Sequence, residues 1–88
     1  MLKNERSKSF LALQTHDNPE ISRKMTAIIE NATLSQLVRL RELSETSGYS
    51  LEYLVKNSSP PSHIFPEIGI SNFHGMYIAI MPDGTTHS

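Results

Sequence analysis

The stretch LSETSGYSLEYLVKN, residues 43–57, sets one glycine between two runs of helical spacing. Ser44 is small, Gly48 follows four residues later, and Leu54 lies six beyond the glycine. A residue just past a helix end often adopts positive φ, which costs glycine nothing, so Gly48 is the natural stop of the helix before it. Ser50 can cap a short further helix carrying Leu51, Tyr53, Leu54 and Val55. Pro60 and Pro61 disfavour helix in the residues before them, so this helix must end by Ser59. The segment reads as helix, sharp turn, helix, with Ser44 at the crossing, Leu54 as the inner anchor, and Leu40 and Leu43 filling behind. That pattern describes both a plain helical corner and a DNA-gripping helix-turn-helix.

Upstream, Thr33 can cap the first helix of the pair. Leu34, Leu37, Val38, Leu40 and Leu43 give it a wide apolar surface, while Arg39, Arg41, Glu42 and Glu45 face water. Before it, HDNPE is a helix start: Asn18 caps, Pro19 suits the first helical position, and Glu20 meets the positive dipole end. Ile21, Met25, Ile28, Ile29 and Ala32 then share one face, so a helix is expected from Pro19 to about Asn31. Residues 1–8, polar and without period, read as a mobile arm, and residues 9–88 as a single domain. Ser9 to Thr15 fits a strand or a short helix equally.

Downstream the character changes. Prolines 60, 61 and 66 and glycines 69, 75 and 84 punctuate the tail. Ile68 to Ile70 reads as a very short strand. Met76 to Met81 is the best strand candidate, bounded by Gly75 and the turn Pro82-Asp83-Gly84. Both its faces are apolar, which suggests burial between helices and a partner strand; an exposed edge offered to another chain is the competing reading.

The offsets Ser44–Gly48–Leu54, followed by FPEIGISNFHGMYIAI, resemble the winged helix-turn-helix domains of the excisionase and MerR-type regulators. The resemblance covers roughly residues 37–81 and rests on spacing and element order. It implies that Ser50, Leu51, Glu52, Tyr53 and Lys56 belong to a recognition helix and that Ser71 to Gly75 form a wing tip with His74 as its one ionisable group. With Tyr49, Arg39 and Arg41, these supply the candidate DNA-contacting set: Arg39, Arg41, Tyr49, Ser50, Glu52, Tyr53, Lys56 and His74. Asn57 is the one amide near that helix able to bond a base edge.

Composition bounds the rest. Eighty-eight residues make one domain with a marginal core, for which dimerisation is a natural source of further burial. Net charge is −1, and all eight Lys and Arg lie between Lys3 and Lys56, leaving only Glu67 and Asp83 charged in residues 57–88. The absence of cysteine excludes disulfides and thiolate metal sites. No apolar run approaches the roughly 20 residues that span a bilayer, so a cytoplasmic, non-membrane protein is expected. Histidines 16, 63, 74 and 87 show no i, i+3 or i+4 pair, so no metal site is expected. Neither a nucleophile elbow nor a phosphate-cradling glycine loop occurs, and neither enzymatic activity nor a cofactor is expected.

These readings converge on a small α+β protein: a helical bundle of about three helices followed by a short C-terminal strand or β-hairpin, with a winged helix-turn-helix as its sharpest form. The function expected is non-enzymatic regulation through DNA binding, as a homodimer. The alternative is a protein-interaction module, acting as adaptor, inhibitor or subunit, that uses an apolar helix face or the C-terminal strand.

Overall fold

The computed structural model describes residues 18–88; the arm at residues 1–8, the Ser9 to Thr15 segment and His16 lie outside them. Three helices precede four short strands among the described residues: α1 (Pro19–Asn31), α2 (Leu34–Ser47), α3 (Leu51–Lys56), β1 (Ser58–Ser59), β2 (Ile68–Phe73), β3 (Met76–Ile80) and β4 (Thr86–His87). The strands form one antiparallel sheet in the order β1-β2-β3-β4, so the α+β class expected from the sequence is the class found.

Local capping fixes each helix. The Asn18 side chain accepts from the Glu20 amide at 2.9 Å, and Pro19 takes the first turn, where it forfeits no bond. Thr33 and Gln36 form a capping box: Thr33 Oγ1 accepts the Gln36 amide at 3.1 Å, and Gln36 Oε1 accepts the Thr33 amide at 2.9 Å. Gly48 ends α2 at φ 87°, ψ −10°, and the Ser44 hydroxyl donates to the Tyr49 carbonyl across the turn at 2.8 Å. Ser50 Oγ accepts the Tyr53 amide, starting α3. The chain is therefore broken between α2 and α3, not one continuous rod.

The core lies between the helices and one face of the sheet. Ile21, Met25, Ile28, Ile29 and Ala32 of the first helical segment meet Leu37, Leu40, Leu54, Val55, Ile68, Ile70, Ile78 and Ile80. The wide apolar surface expected of α2 is split. Leu37 and Leu40 are buried, whereas Leu34 and Val38 remain 37% and 41% exposed. The buried stripe of α2 instead includes a polar residue, Gln36, whose amide donates to the Pro66 carbonyl at 2.8 Å and the Ile80 carbonyl at 2.9 Å. With its oxygen engaged in the capping box, that amide is satisfied, and no buried side-chain nitrogen or oxygen among the described residues lacks a partner.

Two strand expectations need correction. The first strand candidate, Ile68 to Ile70, runs on to Phe73. The second is not buried on both faces: Ile78 and Ile80 point to the helices, but Tyr77 is 56% exposed on the far side. The physical reason is that the helices among the described residues cover only one face of the sheet. On the open face the Tyr77 ring lies across Gly69, where any Cβ would collide with it. Nor is β3 an edge along its whole length, since Ala79 and Ile80 pair with both β2 and β4. No helix among the described residues is long and apolar enough to cross a membrane.

The β2–β3 hairpin closes on His74 and Gly75, both at positive φ (53° and 76°), as a two-residue type I′ turn requires. Below the turn, the register pairs Ile70 with Ile78 and Phe73 with Met76. Two residues of β2, Ser71 and Asn72, thus oppose Tyr77 alone. This is a β-bulge, which adds twist and re-aims the strand end. Asn72 takes the left-handed conformation there (φ 59°), which asparagine tolerates better than most side chains.

Candidate functional site

The bulge turns the hairpin tip onto α3, and the two elements are joined rung by rung. The His74 amide donates to Tyr49 Oη at 3.1 Å, and Tyr53 Oη donates to the Asn72 carbonyl at 2.9 Å. The Asn72 side-chain amide donates to Asn57 Oδ1 at 3.0 Å. The Ser71 amide and hydroxyl both donate to the Asn57 carbonyl, at 2.9 and 3.1 Å.

An aromatic cluster fills the space at the start of α3. Tyr49 and Tyr53 stack with centroids 4.5 Å apart and planes 10° from parallel. Phe73 and His74 tilt against Tyr49 at 5.6 and 5.0 Å, and against each other edge-on at 4.9 Å. Such pairs add stabilisation beyond burial of their area. Met76, opposite Phe73 in the register, stands on the same face and is 52% exposed.

The sequence-derived residues divide into two groups. Tyr49, Ser50, Glu52, Tyr53, Lys56 and His74 all lie on α3, its approach or the tip packed beside it. Ser50 is an exposed N-cap, and Glu52 is the acidic residue of the first turn. Lys56 is exposed at the other end, where Lys24 Nζ donates to the Lys56 carbonyl at 2.8 Å. The Lys24 ammonium therefore sits at the negative end of α3, which favours a cation, and Lys56 belongs to the same last turn.

Arg39 is elsewhere. Its Nε donates to the Gly84 carbonyl at 2.8 Å, and its guanidinium pairs with Glu42 at 3.2 Å. The Gly84 amide in turn bonds the Met81 carbonyl. From the tip glycine, Gly75, to Met81 is six steps of about 3.3 Å, so Arg39 sits roughly 20 Å from His74, at the opposite end of the sheet. Arg41 is exposed, one turn before Ser44 and hence toward the side of α2 that meets the Gly48 turn.

Beside Arg39 the β3–β4 turn carries Asp83, whose carboxyl is held below the usual carboxylate range. The cause is first the Thr85 hydroxyl and then the Thr85 amide, at 2.6 and 3.0 Å. Arg39, Glu42 and Asp83 line one shallow depression with Leu34, Ser35, Val38 and Gly84, so that depression mixes both signs of charge.

Sequence reasoning missed the residues that fasten the tip. The amide of Asn57, the one candidate for a base edge, is occupied, donating to the Tyr53 carbonyl and accepting from Asn72. Asn72, Ser71 and Phe73 carried no signal except their place in the expected tip, and Lys24 only as half of the basic pair Arg23-Lys24, which with Arg39 and Arg41 could make a modest phosphate-facing surface. No group of three or more His, Asp or Glu side chains among the described residues could hold a metal ion. Comparison with family models, with curated proteins and with solved structures finds no match for the chain.

Proposed function

We propose that this protein is a non-enzymatic regulator that binds duplex DNA as a winged helix-turn-helix, with α3 and the β2–β3 tip as one contact surface. The observation that carries the reading is the fastening of the tip along α3: five hydrogen bonds and four rings make helix and hairpin a preorganised unit next to a Gly48-turned helix pair. Preorganisation of this kind lowers the ordering cost of binding. Lys56, Lys24 and Arg41 supply the phosphate contacts, and Ser50, Glu52 and His74 face the groove. Arg39, tied to Gly84 and Glu42 at the far end, is left out of the contact.

Few cations at the surface mean a shallow salt dependence, since the slope of log K against log salt follows the number of phosphates neutralised. The test is selection from an unbiased pool of duplexes at low ionic strength, followed by a salt titration on any retained site. Lys56→Ala should weaken binding across sequences and reduce the slope by about one, whereas Arg39→Ala should leave both unchanged. Failure to retain any duplex ends the proposal.

One observation favours a second reading, a protein-interaction module. The described residues carry five Lys and Arg against seven Asp and Glu, and the tip presents His74, Phe73 and the half-exposed Met76 without a cation of the permanent kind. Aromatic residues and methionine with depleted charge are typical of protein interface centres. Concentration-dependent sedimentation of the full chain tests its homodimeric form, which Met76→Glu should abolish.

A further inference from the structure

The loop between β1 and β2 holds two large apolar side chains out in solvent, Ile64 at 78% and Phe65 at 65% exposure. We propose that this loop is an anchor for a protein partner: Ile64 and Phe65 enter an apolar pocket on that partner whose rim is neutral or basic. The proposal is independent of the DNA reading.

The loop is held, not slack. The Ser62 amide donates to the Phe65 carbonyl at 2.8 Å, and the Phe65 amide donates back to Ser62 Oγ at 3.0 Å, closing a two-residue loop at His63-Ile64. Prolines 60, 61 and 66 stiffen both arms, Pro61 is buried, and the Pro66 carbonyl is gripped by Gln36. A braced apex binds without first losing its own disorder. The braced apex holds both side chains outward from the described residues.

Charge and area select the occupant. Residues 57–88 contain no Lys or Arg, and the loop itself carries Glu67. Loops and helices that enter anionic membrane surfaces, and surfaces that meet nucleic acid, bring basic residues with them. A second copy of the loop is too small a counterpart. Phe65 offers on the order of 100 Å² of exposed ring, and even with Ile64 the pair falls well short of the roughly 800 Å² per partner of a standard interface. Two adjacent apolar residues of this size fit instead the role of a hot spot, a compact anchor seated in a pocket on a larger surface. Glu67 at the base favours a pocket rim of opposite or no charge. The loop leads into Ile68, paired with Ile80, at the end of the sheet away from the His74–Gly75 tip, so both surfaces can be engaged at once.

The test places a photo-crosslinking benzoylphenylalanine at position 65 of the full chain, and at exposed Glu45 as a control, in native extract of the source cells. Support is a discrete adduct at 65 and not at 45, to a protein that, once purified, binds the wild-type chain and loses about ten-fold or more in affinity to Phe65→Ser. Circular dichroism of Phe65→Ser should give a Tm within about 2 °C of wild type, as befits an exposed position; a larger fall means the ring is packed and overturns the proposal. It is also overturned if no adduct exceeds the control, if the adduct is only to a second copy, or if vesicles of anionic phosphatidylglycerol bind the chain and Phe65→Ser abolishes that binding.

Discussion

At the β2–β3 tip, Phe73 packs against Tyr49 and His74, whereas at the other end of the same sheet Phe65 stands about two-thirds exposed. Both segments are hydrogen-bonded turns, and both carry an aromatic residue next to a histidine or isoleucine. What differs is the neighbour. The tip lies along α3, whose Tyr49 and Tyr53 offer ring surface as well as hydroxyl groups. The loop is tied to α2 through the Gln36 amide, which grips the Pro66 backbone, and among the described residues its Phe65 ring stays in solvent. Ordering a backbone and burying its side chains are thus separate events here. At one end the aromatic residue of the turn is packed against neighbouring rings and half-buried; at the other the backbone is ordered and the ring stays in solvent.

The largest effect expected concerns the helix that makes the difference. Leu54 is fully buried under α3, and Leu54→Ala removes its packing and leaves a cavity, costing about 3–4 kcal/mol. In a chain this small that is a large part of the total stability. Urea unfolding followed by circular dichroism measures it. A cost below about 1 kcal/mol would mean α3 does not anchor the tip, and the contrast between the ends would lose its cause.

Gln36→Ala attacks the other end. It removes the capping-box oxygen and the donor to two carbonyls, one of them buried with Ile80. Losing these bonds and leaving buried groups unsatisfied should cost about 2–3 kcal/mol, read by the same unfolding curves. The loop should also gain proteolytic sensitivity between Pro61 and Glu67. If stability falls and the loop stays resistant, the prolines alone hold the apex.

How much of this was legible follows from the range of each interaction. Asn18-Pro19, Thr33, Gly48 and Ser50 act within four residues, so the three helix starts and the end of α2 could be read from the chain, whereas the prolines bounded the end of α3 only loosely, by Ser59. Gly75 with His74 marked a turn for the same reason. Gln36 was not legible, because its partners lie 30 and 44 residues away. In the sequence it is simply a polar residue beside an apolar stripe. The two-residue strands β1 and β4 have no alternation to detect and exist only because β2 and β3 offer them edges. The candidate site was half legible. Tyr49, Tyr53 and His74 were named, but their meeting depends on the bulge at Ser71–Asn72, and Arg39 was included although the fold carries it to the far end.

A finer cut at the tip removes one hydroxyl. Tyr53→Phe keeps the ring stacked on Tyr49 but abolishes the 2.9 Å bond to the Asn72 carbonyl. About 1 kcal/mol of stability should be lost. The amide exchange of residues 72–75, followed by NMR, should quicken more than that of β3 near Ile80. Equal change along the hairpin would mean the tip is not fastened locally.

The smallest effect belongs to the β3–β4 turn, at the loop end, where exposed Asp83 is held mainly by Thr85. Its carboxyl is depressed in the folded state, principally by the Thr85 hydroxyl. A group lowered on folding stabilises the fold above its unfolded pKa, about 3.9 for aspartate, and that contribution disappears as pH falls through the folded value. Acidification from pH 6 to below 4 should therefore lower the Tm of the wild type slightly more than that of Asp83→Asn, since the other carboxylates titrate alike in both. The excess should be slight because the group is solvent-exposed and screened. Asp83→Asn should also leave the exposure of Phe65 and the tip packing as they are. A variant that lost Tm on acidification as steeply as the wild type would show that this turn, like the apex beside it, is kept in place by the Gln36 and Arg39 contacts to backbone rather than by its own carboxylate.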